Sequence, residues 1–288
     1  MENINIIGQK KLLQRIQQLI DSDRYPRFSI IVGAKGSGKK KIARLLCKEI
    51  SGGLYEECGT KIDDVRELIH DAYQIHSTAV YFIPDADNMS VAAKNALLKV
   101  TEEPPNNSYF IMTLESAKNT PETILSRATV FYMDPYKPDE ILEYAHKIRK
   151  DYDKDKCSME DEIIQMICET PGDVDIMTKH GVINFYEYVK LVVNNITEVS
   201  LANAFKIPSK VALKDADEGY DLRLFLKVFV YTIIKEKVWN GADEDITKST
   251  AVSVLVTSKA LQDLKRIRGI NKQMLMDKWI MEIREAWT

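Results

Sequence analysis

Gly33-Ala34-Lys35-Gly36-Ser37-Gly38-Lys39-Lys40 has the glycine and lysine spacing of a phosphate-binding loop, apart from its last residue. In such a loop a glycine-rich turn aims backbone N–H groups at phosphate oxygens. The lysine reaches the outer phosphates, and a hydroxyl directly after it holds a magnesium ion. Gly33, Gly36, Gly38 and Lys39 supply the first two parts, but the hydroxyl position is Lys40. That side chain offers no oxygen and brings positive charge to the place of a cation, so like-charge repulsion and the missing ligand act together. The chemistry expected is phosphate contact without metal-assisted hydrolysis. No cofactor is required, residual ATP or ADP binding is allowed, and no metal site is assigned.

A phosphate loop needs a strand before it and a helix after it. Phe28–Val32 reads as a short buried strand and Lys39–Ile50 as an amphipathic helix. An earlier helical pattern, Gln9 to Asp21, is broken by Tyr25-Pro26. Leu54 to Cys58 suits a short strand and Asp63 to Gln74 a helix, and Ala79–Ile83, Ser108–Thr113 and Ala128–Tyr132 are further β-prone runs. Strands alternating with helices imply an α/β parallel sheet. Beyond Asp134-Pro135 no strand run remains, and helical periodicity covers Lys137–Arg149, Glu160–Glu169, Asp173–His180, Phe185–Asn195, Leu222–Trp239, Ser249–Ile267 and Asn271–Ala286. The expected organisation is a phosphate-loop α/β domain over 1–135, a small helical lid domain over 136–206 and a C-terminal helical domain over 207–288. Residues near Ile207 to Asp217 form the connection.

With 288 residues and 45% hydrophobic content, the chain is long enough for one large core and at least one smaller one. Its N-terminus lacks a basic region followed by a long apolar stretch, and no run approaches membrane-spanning length, so a cytoplasmic protein without membrane contact is expected. Cys47, Cys58, Cys157 and Cys168 form no CxxC pair, and His70, His76, His146 and His180 are too widely separated for a metal-ligand spacing. A net charge of -3 argues against generic polyanion binding by the whole chain, while Lys35, Lys39, Lys40 and Lys41 concentrate positive charge at the loop. Phe225, Phe229, Tyr231, Trp239 and Trp279 are expected in a helical core.

Further motifs carry a family resemblance. Asn95-Ala96-Leu97-Leu98-Lys99-Val100-Thr101-Glu102-Glu103-Pro104-Pro105 resembles the signature helix of bacterial clamp-loader subunits, and Thr123-Ile124-Leu125-Ser126-Arg127 resembles their Ser-Arg-Cys motif, with Ala128 replacing the cysteine. Ile7-Gly8-Gln9 and Ile62-Asp63-Asp64-Val65-Arg66-Glu67-Leu68 fit as well, all in the family's order. The chain thus resembles the AAA+ clamp-loader family of bacterial DNA polymerase III over residues 1 to about 180; beyond that, helical character alone fits the family's oligomerising collar.

The resemblance implies an AAA+ parallel-sheet ATPase-like domain, a helical lid and a helical collar. It also implies partners: gamma/tau-type ATPase subunits, a delta subunit and, through the assembled ring, the sliding clamp and primer-template DNA. On the family pattern, Pro84 stands at the magnesium-organising aspartate and Asp85 at the catalytic glutamate, while Glu115 aligns with a nucleotide-sensing asparagine and Asp175 with a lid arginine. The pattern assigns Arg127, with Ser126, to the subunit edge, from which it reaches a neighbour's nucleotide. An arginine donated in this way is worth about 10³ to 10⁵ in rate in other phosphoryl-transfer systems. The expectation is a non-hydrolysing stator for clamp loading in DNA replication. The plain alternative for Arg127 is a solvated arginine paired with an acid. Two other functions stand beside the stator: an active AAA+ ATPase using Lys39 with Asp85 or Asp87, and a helicase-loader-like adaptor that binds nucleotide. The Asn95–Pro105 and Ser126-Arg127 motifs speak against the adaptor.

Overall fold

The apolar runs at Phe28–Val32, Ala79–Ile83 and Ser108–Thr113 become strands buried along almost their whole length, with helices on both faces, as a parallel sheet requires. A computed structural model describes residues 6–75, 77–105, 108–149, 158–206, 211–212, 219–239, 243–267 and 269–288. His76, Cys157 and most of the expected connection over 207–217 lie outside the described residues. The chain divides into two compact units, one running to Glu140 and including Thr170–Gly172, the other comprising Ile141–Glu169 and Asp173–Thr288.

In the first unit the elements run α1 (Lys10–Asp21), β1 (Phe28–Val32), α2 (Lys39–Ser51), β2 (Glu56–Glu57), α3 (Ile62–Gln74), β3 (Ala79–Ile83), α4 (Val91–Glu102), β4 (Ser108–Leu114), α5 (Glu122–Leu125) and β5 (Thr129–Tyr132). The strands order as β2-β3-β4-β1-β5, and every neighbouring pair is parallel. Alternate residues of each strand feed opposite cores. Ile31, Val80, Phe82, Ile111 and Phe131 meet Leu12 and Ile16 of α1 and Ile42, Ala43 and Leu46 of α2. Ile30, Tyr81, Ile83, Phe110 and Met112 meet Val65 and Leu68 of α3 and Ala93, Leu97 and Val100 of α4. Since β4 lies between β1 and β3, the carboxyl ends of these three strands bring the residues that follow them to one sheet edge.

The second unit is mainly helical. Helix α6 (Pro138–Ile148) leads into it, followed by α7 (Ser158–Ile167), α8 (Pro171–Lys179), α9 (Val182–Asn195), α10 (Leu201–Ala204), α11 (Leu222–Lys237), α12 (Glu244–Arg266) and α13 (Lys272–Glu285). Its core centres on Trp279, edge-on to Phe225 and Phe229 at ring-centroid distances of 5.8 and 4.7 Å, with its indole N–H donating to Thr257 Oγ1 at 3.0 Å. Two expectations need correction. A two-residue parallel pair, β6 (Val211–Ala212) with β7 (Tyr220–Asp221), occurs where no strand was expected. Trp239 is 59% exposed, because α11 ends before it, and its ring stands edge-on to Tyr231.

Part of helix α12 buries hydroxyls while exposing apolar residues. Thr250, Ser253 and Thr257 are buried, whereas Val252 and Leu255 are exposed. The inward hydroxyls are tolerated where they find acceptors: Ser253 bonds the Ser249 carbonyl at 2.9 Å and Thr257 the Ser253 carbonyl at 2.7 Å.

Candidate functional site

The phosphate loop joins β1 to α2. Gly36 and Gly38 take φ of +79° and +86°, left-handed values that favour glycine, and Gly38 is the residue before the helix. The first-turn amides of α2 have no intrahelical acceptors by construction and form the anion-facing end of the loop. Around them the loop is tied down: Ser37 N–H donates to the Ala34 carbonyl at 3.1 Å, and Tyr136 O–H donates to the Ser37 carbonyl at 2.7 Å. Thr170–Gly172 closes on its tip, with Gly172 N–H donating to the Gly36 carbonyl at 3.0 Å. The two glycines are so close that a Cβ on Gly36 would lie 2.7 Å from Thr170 Oγ1, and one on Gly172 would lie 2.6 Å from Gly36 Cα.

Lys39 is buried and folds back over the loop, its Nζ donating to the Ala34 carbonyl at 3.3 Å. Burial pulls its pKa below the ordinary lysine value, opposed by the negative charges of Glu115, Asp85 and Asp87. These acids stand on the segments that follow β3 and β4, and the charge of Glu115 acts on Lys39 of the loop. Lys40 pairs with the carboxylate of Asp85. Asp85 itself takes φ of +49°, and its N–H donates to Thr113 Oγ1 at 3.0 Å. Asp87 is turned to backbone amides and accepts from Glu115 N–H at 2.6 Å and Ser116 N–H at 3.5 Å. Pro84 contributes no carboxylate. Among the described residues no group of three His, Cys, Asp or Glu side chains could hold a metal ion. The magnesium ion expected in a phosphate loop does not fit this donor set, because its hydroxyl ligand is an ammonium and the nearest acid is engaged by that ammonium.

Arg127 and Ser126 lie apart from this constellation, at the end of α5. Arg127 donates to the Thr123 carbonyl at 2.7 Å and pairs with Glu102 at 3.2 Å, its side chain 30% exposed, while Ser126 Oγ donates to the same carbonyl at 3.2 Å. Its Nε finds no protein acceptor. Glu102 is the final residue of α4, so the signature-like helix positions Arg127 directly, a role that the sequence does not reveal. Asp175, aligned with a lid arginine, accepts from Tyr144 O–H at 2.8 Å.

Two further structural roles are likewise invisible in the sequence. Gln9, with φ of +57°, uses its side-chain amide to bond both backbone groups of Asp134, at 2.7 and 2.9 Å. Gly8, at φ +65°, lies against Tyr136, the residue that holds the loop at Ser37. Through these contacts the Ile7-Gly8-Gln9 motif fixes the segment leaving β5, from which Tyr136 reaches the loop.

A parallel five-stranded sheet, with a glycine-rich loop after one strand and an acidic segment after another, together with a helical region, makes this an α/β protein of the parallel-sheet class. The solved structure of a DNA polymerase III gamma subunit-related protein from Thermotoga maritima superposes with a TM-score of 0.55 at 15% identity, covering 97% of this chain and all of that one.

Sequence comparison finds similarity to delta, gamma and tau subunits of DNA polymerase III. Residues 54–137 match the family described as DNA polymerase III, delta subunit. The gamma subunit of Buchnera aphidicola subsp. Schizaphis graminum is 25% identical over 236 residues, 71% of this chain and 63% of that protein. The tau subunit of Escherichia coli K12 is 24% identical over 193 residues, 57% of this chain and 30% of that protein. The chain therefore spans less than two thirds of these relatives' length. Among the described residues no helix is long and apolar enough to cross a membrane.

Proposed function

We propose that this chain is a non-hydrolysing stator subunit of a DNA polymerase III clamp loader, of the delta-prime type, which assembles with gamma/tau-type ATPase subunits and a delta subunit and acts through them on the sliding clamp and primer-template DNA. The Lys40–Asp85 ion pair carries this reading. Hydrolysis at such a site needs a metal ion and a carboxylate free to organise it or to activate water. Here an ammonium stands in the ligand position and occupies the carboxylate. The chain keeps the scaffold of an ATPase and lacks the groups that would turn it over.

Arg127 is the group donated to a neighbouring subunit. Its Nε has no protein acceptor and its Glu102 partner is 59% exposed, so exchanging that pair for a phosphate costs little. The outward Val252 and Leu255 of α12 support assembly through the helical region, since a partner would remove them from water. The test compares ATP turnover by partner ATPase subunits reconstituted with the wild-type chain or with Arg127→Ala, after assembly is shown to be equal. The expected loss is about 10³-fold or more. Unchanged turnover would reduce Arg127 to a structural residue paired with Glu102.

A second reading, an active ATPase, draws on the intact Lys39 and the relatives' gamma and tau names. Turnover by the isolated chain, abolished by Lys39→Ala, would establish it over the stator.

A further inference from the structure

We propose that Lys40 is a tethered replacement for the divalent cation, so that polyphosphate entering the Gly33–Lys40 loop is bound free of magnesium. The inference rests on the loop having kept affinity for phosphate, and it goes further by naming the ionic form of the ligand. Loss of the hydroxyl would by itself leave a weakened metal site. The structure holds something different: a positive charge fixed by Asp85 on the first turn of α2, directly after the phosphate lysine.

The surroundings favour a single ammonium over a magnesium ion. Magnesium demands near-octahedral oxygen coordination, usually through one or two carboxylates, phosphates and water. Pro84 offers nothing, Asp87 is committed to the amides of Glu115 and Ser116, and Asp85 already faces Lys40. Asp85 is itself held by its backbone N–H, which donates to Thr113 Oγ1 at 3.0 Å. A metal riding on the outer phosphates would be pushed away by Lys40 and would find no open carboxylate. Metal-free phosphate would gain two charge-assisted contacts, from Lys39 and Lys40. The acids facing the loop, Asp85, Asp87 and Glu115, favour the charged form of Lys39 against its burial.

The test is calorimetric titration of the full chain with ATP and with ADP, once in excess EDTA and once in excess magnesium. Both nucleotides should bind in EDTA, and magnesium should weaken ATP binding by about tenfold. Lys40→Thr restores the hydroxyl and removes the charge. It should lose about tenfold in EDTA and abolish the magnesium penalty. Circular dichroism checks its fold, and Lys39→Ala should remove binding. Tighter ATP binding in magnesium by the wild type would overturn the cation replacement while leaving the loop as a phosphate site. Binding that survives Lys39→Ala, or no binding in either condition, would overturn both.

Discussion

Replacing Gly172 by alanine sets two effects of opposite sign against each other. Gly172 is the second residue of α8, and helix propensity alone makes Gly→Ala favourable by up to about 1 kcal/mol. The packing predicts a net loss. The new Cβ would lie 2.6 Å from Gly36 Cα and 3.1 Å from the Gly36 carbonyl oxygen, where unstrained carbon contacts lie at about 3.5–4.0 Å. Both opposing atoms are backbone, so no flexible side chain can move aside. The segments would have to part by roughly 1 Å, which takes the 3.0 Å Gly172–Gly36 hydrogen bond out of range. Overpacking of this kind costs about 1–3 kcal/mol and a lost hydrogen bond about 0.5–1.5 kcal/mol, and relieving the first incurs the second. We expect a net destabilisation of about 1–3 kcal/mol after the helix gain is subtracted. Trp239, Trp279 and Trp287 all belong to the second unit, so indole fluorescence would miss the event. Urea unfolding followed by far-ultraviolet circular dichroism, with hydrogen exchange of the loop amides, reads it directly. Gly36→Ala strikes the same contact, so the double variant should lose less than the sum of the two single losses. A Gly172→Ala protein as stable as the wild type, or more stable, would refute the reasoning.

Asp173, almost fully buried, accepts from Glu169 N–H at 3.0 Å and pairs with Arg223; Asp173→Ala should destabilise the second unit by about 3 kcal/mol, since Arg223 keeps some solvent contact, as read from the tryptophan-monitored urea midpoint. Glu162 is held below the usual glutamate range by the Tyr231 hydroxyl and then by Lys235, at 2.6 and 3.1 Å. Its folded pKa is depressed, so its contribution is present above the unfolded value and is lost as pH falls through the folded one. Urea midpoints measured between about pH 6 and pH 3 should fall less steeply for Glu162→Gln than for the wild type.

Much of the α/β unit is legible in the sequence because its signals are local. The runs Phe28–Val32 and Ala79–Ile83 are the strands β1 and β3 residue for residue, and burial on both faces accounts for their mainly apolar texture. Apolar spacing places the start of α12 near Ser249, yet the helix starts at Glu244. Its first turn is acidic and is capped by Asp243, whose side chain accepts from Ile246 N–H, so the start lies in polar residues that periodicity passes over. The β6–β7 pair is too short for any alternation to show. At the site, residue types show the Gly33–Lys40 loop pattern and a lysine where a hydroxyl is usual, but not where Lys40 turns. That depends on β4 lying between β1 and β3, a sheet order that places Asp85 near α2. The Glu102–Arg127 and Gly36–Gly172 contacts likewise join segments distant in the chain, and no spacing rule encodes them.

Strand β5 ends the sheet, and a strand with an open side can template pairing with another chain. A glutamine side-chain amide carries the same donor and acceptor as a peptide group, so Gln9 presents to Asp134 what one residue of a further strand would offer. The hydrogen-bonding ladder is thereby stopped at the exit of β5 by a single side chain. Gln9 thus occupies, with one side chain, the backbone groups through which a further strand would extend pairing past the end of β5.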